Sequence, residues 1–268
     1  MGCKNSQQKK KLGENVYSEK KSEENQEVIC QYQPQPLNKS CIKSFTDLQD
    51  CSDLDQITKI DLKPTLNSDG DQIIKNLLNF THLNSVSLDF SNFSLEQNEF
   101  KNLFQALQSI ANLQKLQLNL WMSQINDNLL SELALTIRSQ QNLIYLSINL
   151  IENQKITQYG MKSLYQEIAY CKNLSILKIV TPVSVNNATK SLNDLGNLIQ
   201  QNLINLKELY LTIKCCQGVQ NLINLLSKTK SITYMYLNLQ SINNLKEFET
   251  QKYYICKSRR LTNIKILI

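Results

Sequence analysis

Leu113-Gln114-Lys115-Leu116-Gln117-Leu118 places apolar side chains at the first, fourth and sixth positions of a short run, and the same spacing returns along most of the chain. It starts at Ile57, Leu83, Leu113, Leu143, Leu174, Leu206, Ile232 and Leu261, at intervals of 26, 30, 30, 31, 32, 26 and 29 residues. Chance does not hold such a period, even in a chain rich in leucine. The alternation that ends each run marks a short strand with one buried face. Between runs the apolar period becomes helical: Phe100, Phe104 and Leu107; Leu129, Leu133 and Ile137; Leu164 and Ile168; Leu192, Leu195 and Ile199; Leu222 and Leu225. Ser94 and Gln97 have capping-box spacing for the first of these helices.

A strand and a helix of this size cannot cover their apolar faces alone, so the units must stack. The expected fold is an α/β solenoid of about eight repeats, with a curved parallel sheet inside and helices outside. Asn112, Asn142, Asn173 and Asn205 each precede the first leucine of a run. Asparagine tolerates left-handed turns and bonds locally, which suits the corner from helix to strand.

From about Asp55 to Ile268 the pattern resembles the leucine-rich-repeat family, and the long helical repeats are most similar to its ribonuclease-inhibitor-like branch. The abundance of Asn, Gln and Lys resembles divergent repeats from A/T-rich protist genomes. The chain departs from the family eight residues after each first leucine, where an Asn or Cys usually bonds the loop. Thr65, Ser91, Trp121, Ile151, Pro182, Lys214 and Gln240 stand there instead, which predicts irregular loops. The resemblance implies a protein-binding scaffold or, in a different class, a regulator of small GTPases, since the branch includes GTPase-activating proteins. No arginine is singled out for the second role.

Ahead of the repeats, residues 1–44 read as a basic tether, and residues 45–268 as the repeat domain. The opening Met1-Gly2-Cys3-Lys4-Asn5-Ser6 fits N-myristoylation of Gly2, with Cys3 placed for palmitoylation. It resembles the starts of dually acylated Src-family kinases and G-protein α subunits over about six residues. One myristoyl chain gives marginal binding, about 10⁴ M⁻¹, so the second chain and the lysines Lys4, Lys9, Lys10 and Lys11 supply the rest of a stable anchor. No apolar run is long enough to span a bilayer. The expected location is the cytoplasmic face of a membrane.

The net charge is +6, and a large share of it lies in the tether, which argues against a nucleic-acid groove across the body. The eight cysteines show no metal-type or paired spacing and read as reduced thiols. Adjacent Cys215 and Cys216 would point to opposite faces of an extended segment. His82, the lone histidine, fills the corner position held elsewhere by asparagine and reads as a polar turn residue. Asp69-Gly70-Asp71 lacks the spacing of a calcium loop and reads as a helix start, while Asp89-Phe90-Ser91 reads as a strand end. No constellation for catalysis, metal or cofactor emerges, and an enzyme is not expected.

If the apolar positions point inward, residues two, four and six after each first leucine face the concave side. The early strands present Lys59, Asp61, Ser85, Ser87, Asp89, Lys115, Gln117 and Asn119. The later ones present Tyr145, Ile176, Lys178, Val180, Glu208, Tyr210, Tyr234, Tyr236 and Lys265. Tyrosines on a rigid sheet are favoured interface anchors, so Tyr145, Ile176, Lys178, Tyr210, Tyr234 and Tyr236 are the candidate partner site. The last run reaches the chain end without a polar cap, and its open edge invites self-association.

Overall fold

The structure, a computed structural model, describes residues 41–43, 57–64, 70–80, 82–93, 95–182, 188–213, 218–239 and 263–267. Within them nine strands form one open sheet in chain order: β1 (Cys41–Ile42), β2 (Lys59–Leu62), β3 (Ser85–Asp89), β4 (Lys115–Asn119), β5 (Tyr145–Asn149), β6 (Ile176–Val180), β7 (Glu208–Ile213), β8 (Tyr234–Leu239) and β9 (Asn263–Leu267). Every neighbouring pair is parallel. Parallel neighbours require crossovers. From β2 to β8 each crossover is a helix: α1 (Gly70–Leu77), α2 (Gln97–Ser109), α3 (Asp127–Ser139), α4 (Gln158–Ile168), α5 (Ala188–Asn202) and α6 (Val219–Ser227), each lying beside the next. This is an α/β solenoid built of repeated strand–helix units. Its eight repeat strands are β2 to β9, and β1 adds a two-residue pairing inside the segment read as tether.

The strand register equals the sequence period. Lys59, Ser85, Lys115, Tyr145, Ile176, Glu208, Tyr234 and Asn263 stand abreast, each two residues after the first apolar residue of its run. The inward positions are correspondingly dry: Leu83, Leu113, Leu143, Leu174, Leu206 and Ile232 are buried, as are Leu116, Leu146, Leu177 and Leu209 one row on. Alternation continues one step beyond the sequence pattern, burying Phe90, Leu120, Leu150, Ile213 and Leu239. The helices close the other side with Phe100, Phe104, Leu107, Leu133, Ile137, Leu164, Ile168, Leu195 and Leu222 in the same core. Because each unit contributes half of its neighbour's covering, removing one such leucine to Ala costs about 2–5 kcal/mol.

The corners differ from expectation in three ways. Helix α2 opens at Gln97, with Glu96, two residues after Ser94, as N-cap; the Glu99 carboxylate accepts the Glu96 amide at 2.5 Å and completes a capping box made of glutamates. The corner asparagines are not left-handed. Asn173 and Asn205 instead donate to Gln141 O and Lys172 O, each at 2.9 Å, so they tie one repeat to the previous one. Left-handed residues recur instead on the strand-exit side, at Asn92, Met122 and Glu152 with φ of 59°, 56° and 61°, and Gln124 close to Met122 adds another at 59°.

The third difference is at the exits of β4 and β5, which share a loop-holding residue where irregular loops were predicted; Thr65, Lys214 and Gln240 lie outside the described residues. Asn153, ten residues after Leu143, is buried; its amide donates to Leu120 O at 2.7 Å and to Leu150 O at 3.0 Å, and its oxygen accepts from Ile125 N at 2.9 Å. Ser123 holds the same place one repeat earlier and donates to Phe90 O at 2.9 Å. The loop-bonding role is therefore present, two positions later than the family pattern places it. The longer strand-exit corner moves it.

Gly2, Cys3, the tether lysines, Ser94, Cys215, Cys216 and Leu261 lie outside the described residues.

Candidate functional site

The face of the sheet opposite the helices carries the residues two, four and six places after the first apolar residue of each run. From β4 to β8 these are half-buried while their neighbours along the strand are buried, as a two-residue period on a one-sided sheet requires. Parallel pairing then stacks like positions into rows. Lys115, Tyr145, Ile176, Glu208 and Tyr234 form one row, and Gln117, Ser147, Lys178, Tyr210 and Tyr236 the next.

Seven side chains in these rows converge. The Lys115 ammonium lies 4.8 Å from the centre of the Tyr145 ring, and the Lys178 ammonium lies 5.4 Å from the same centre and 4.2 Å from that of Tyr210. Tyr210 packs at 5.1 Å on Tyr234 and 6.1 Å on Tyr236, both rings tilted by 36°. Each cation–ring contact contributes about 0.5–1 kcal/mol at an exposed site, and each aromatic pair about 0.5–1.5 kcal/mol. The Tyr210 hydroxyl donates to the Glu208 carboxylate at 2.9 Å. Burial among the neighbouring rings, then the bond to Glu208 and its negative charge, push the Tyr210 hydroxyl up to about 12. It stays a neutral donor throughout the physiological range.

Of the residues singled out by sequence, Tyr145, Lys178, Tyr210, Tyr234 and Tyr236 come together, and Ile176 stands abreast of Tyr145 and Glu208. Two members of the array were not singled out. Lys115 joins through the Tyr145 ring and Glu208 through the Tyr210 hydroxyl; their places in the Tyr145 row were the available signal. Lys265 is abreast of Tyr236 by backbone register.

A different arrangement occupies the third row. The Asn119 amide donates to Asp89 at 2.8 Å and that of Asn149 to Asn119 at 2.9 Å, while each side-chain oxygen also accepts from the backbone N–H two residues on. This ladder stiffens the exits of β3, β4 and β5. Burial raises the Asp89 pKa, but the hydrogen bonds from Ser91 and the Lys63 ammonium at 3.5 Å outweigh it, so the carboxyl ends below the usual range.

Among the described residues, no three or more His, Cys, Asp or Glu gather as a metal site. His82 is exposed at the corner before β3, Gly70 opens α1, and Asp89 ends β3. Cys171 is buried, its thiol 3.3 Å from Ile137 O and pushed up to about 12 by burial, so it is an inert corner residue rather than a nucleophile.

No family model matches the chain, and no curated protein matches it. Among solved structures it is similar to "Leiomodin-1 Actin-Binding Site 2 (ABS2)", with a TM-score of 0.44 and 16% sequence identity, covering 62% of this chain and 90% of that one. A likeness at that level bears on neither partner nor activity.

Proposed function

We propose that this chain is a non-enzymatic scaffold or adaptor, anchored on the cytoplasmic face of a membrane through acyl chains on Gly2 and Cys3, that binds a protein partner on the helix-free face of its sheet. The observation that carries the docking half is the array of Tyr145, Lys178, Tyr210, Tyr234 and Tyr236: four half-buried rings held by one another and by a lysine on a hydrogen-bonded sheet. A partner gains contact area from rings whose rotamers are already restricted, so little further side-chain entropy is lost on docking. The anchoring half rests on the Gly2-Cys3 start and on Lys4, Lys9, Lys10 and Lys11. The mechanism is co-localisation: the tether supplies the address and the solenoid the receptor.

The test is proximity labelling of the full chain in three forms: wild type, Gly2→Ala, and Tyr210→Ala with Tyr236→Ala. The Gly2→Ala form should leave the membrane fraction and lose its membrane neighbours. The tyrosine variant should stay at the membrane, melt as a folded protein and lose a discrete subset of neighbours. An unchanged set of neighbours for a folded tyrosine variant removes the docking half; Gly2→Ala retained in the membrane fraction removes the anchoring half.

A further inference from the structure

The chemistry of the array narrows the partner further, on the basis of the docking role just proposed. Four half-buried tyrosines on one face suggest at first a cage for a cationic group, since ring faces attract ammonium ions. Here the faces of Tyr145 and Tyr210 are taken. The chain's own Lys178 lies over both Tyr145 and Tyr210, and Lys115 approaches Tyr145 as well. Neither lysine has a carboxylate within ion-pair distance among the described residues. The nearest acid to Lys178 by register is Glu208, and its carboxylate accepts the Tyr210 hydroxyl.

Two ammonium groups thus converge on one ring with their charge uncompensated. A ring face satisfies an ammonium only in part: it supplies no hydrogen-bond acceptor on the outward side, where the N–H groups of a lysine remain free to donate. The ring contacts also restrict the long lysine side chains before any ligand arrives, which lowers the entropic cost of a new ion pair.

We infer that the occupant of this face is an acidic segment of a protein, carboxylates of which pair with Lys115 and Lys178 beside the Tyr145 ring while its neighbours lie along Tyr210, Tyr234 and Tyr236. A basic segment is disfavoured by both lysines. A purely apolar one leaves two ammonium groups covered and unpaired, which costs more than the burial returns.

A decaglutamate peptide with a benzophenone at one end is a sufficient probe, cross-linked to the full chain and mapped by mass spectrometry. Mapping matters because the tether lysines will also attract the peptide. The wild type should give adducts on β4 to β8 that disappear in about 0.5 M salt, as expected for half-exposed charges. Replacing the probe by decaglutamine should abolish them. Lys115→Gln with Lys178→Gln should reduce them at least about fivefold, the size expected for two half-exposed ion contacts. Lys101→Gln, an exposed lysine on α2, should leave them unchanged.

Adducts confined to residues 1–44, equal adducts with decaglutamine, or adducts unaffected by the double substitution would each overturn the inference. The salt and decaglutamine arms use the wild-type chain, so they decide even if the double variant folds poorly. Failure here is distinguishable from failure of the docking role. Lysine-independent binding with a tyrosine-dependent set of neighbours leaves a partner site of other chemistry, and the reverse pattern leaves an acid-binding face without a cellular partner.

Discussion

Replacing Asn153 by Ala should destabilise the protein more than any surface asparagine, and the size follows from the bonds lost. Asn153 is 1% exposed and joins two repeats: its amide holds Leu120 O, and its oxygen holds Ile125 N, both on the preceding loop. Alanine leaves the buried Ile125 N–H without its partner, at about 1–3 kcal/mol, and takes from Leu120 O the shorter of two hydrogen bonds, the Ser123 N–H at 3.3 Å remaining. The bond to Leu150 O is local and backbone relaxation offsets part of its loss, so about 3 kcal/mol in total is expected. Urea unfolding followed by circular dichroism gives the number directly, with the slope against denaturant unchanged if the folded state keeps its extent. Asn173→Ala is the matched control. It also loses an inter-repeat bond, but an exposed one that water replaces, and should cost under about 1 kcal/mol. A loss below about 1 kcal/mol at Asn153, or equal losses at both positions, would refute the assignment of the loop-holding role to the position ten after the first leucine.

Other consequences are also measurable. Gly160→Ala should lower the thermal midpoint despite alanine's better helix propensity, because its Cβ would run into the side chain and backbone of Asp127, whose carboxylate accepts the amide and hydroxyl of Thr157 at the start of α4; the expected cost is about 1–2 kcal/mol. Met122→Asn should raise the midpoint, by up to about 1 kcal/mol of stability, since the side chain is exposed and φ is 56°, where asparagine is tolerated and methionine is not. Tyr210 should titrate near 12 by ultraviolet absorption, and Glu208→Gln should bring it down. Its folded value is above the ordinary one near 10, so the stability it contributes is complete below about pH 10 and is lost as pH rises toward 12.

The architecture was legible in the sequence because a two-residue period cannot be shifted by one position without turning leucines to water. The intervals between runs are the strand register for that reason. The helices were legible for the same reason at a period of 3.6, as Phe100, Phe104 and Leu107 show. What escaped was decided by single bonds between units rather than by repeated burial. The shift of the loop-holding residue from eight to ten places after the first leucine follows from the longer strand exit, in which Phe90, Leu120 and Leu150 take up one more buried step before the chain turns. The glutamate capping box of α2 was hidden because Ser94 has the better capping side chain, yet the helix opens at Gln97. The corner asparagines were recognised as a series but assigned a local role, whereas their partners are more than 30 residues away and only the stacked fold brings them close.

The tyrosine face was legible in outline, since alternation alone assigns its rows. The part sequence could not give is side-chain direction: that Lys178 bends over two rings and Lys115 over one, leaving the faces filled and the ammonium groups unpaired. That detail turns a general aromatic anchor into a site with a charge preference.

Everything said of the face depends on the strands lying abreast in the register that stacks Lys115, Tyr145 and Ile176, and methyl–methyl nuclear Overhauser effects measure it most directly. In the full chain labelled at Leu and Ile methyls, cross-peaks should link Leu116 with Leu146, Leu146 with Leu177, and Leu177 with Leu209. Cross-peaks joining these leucines out of that order, or methyls of Leu116, Leu146 and Leu177 fully accessible to a soluble paramagnetic agent, would contradict the solenoid and with it the rows of lysine and tyrosine.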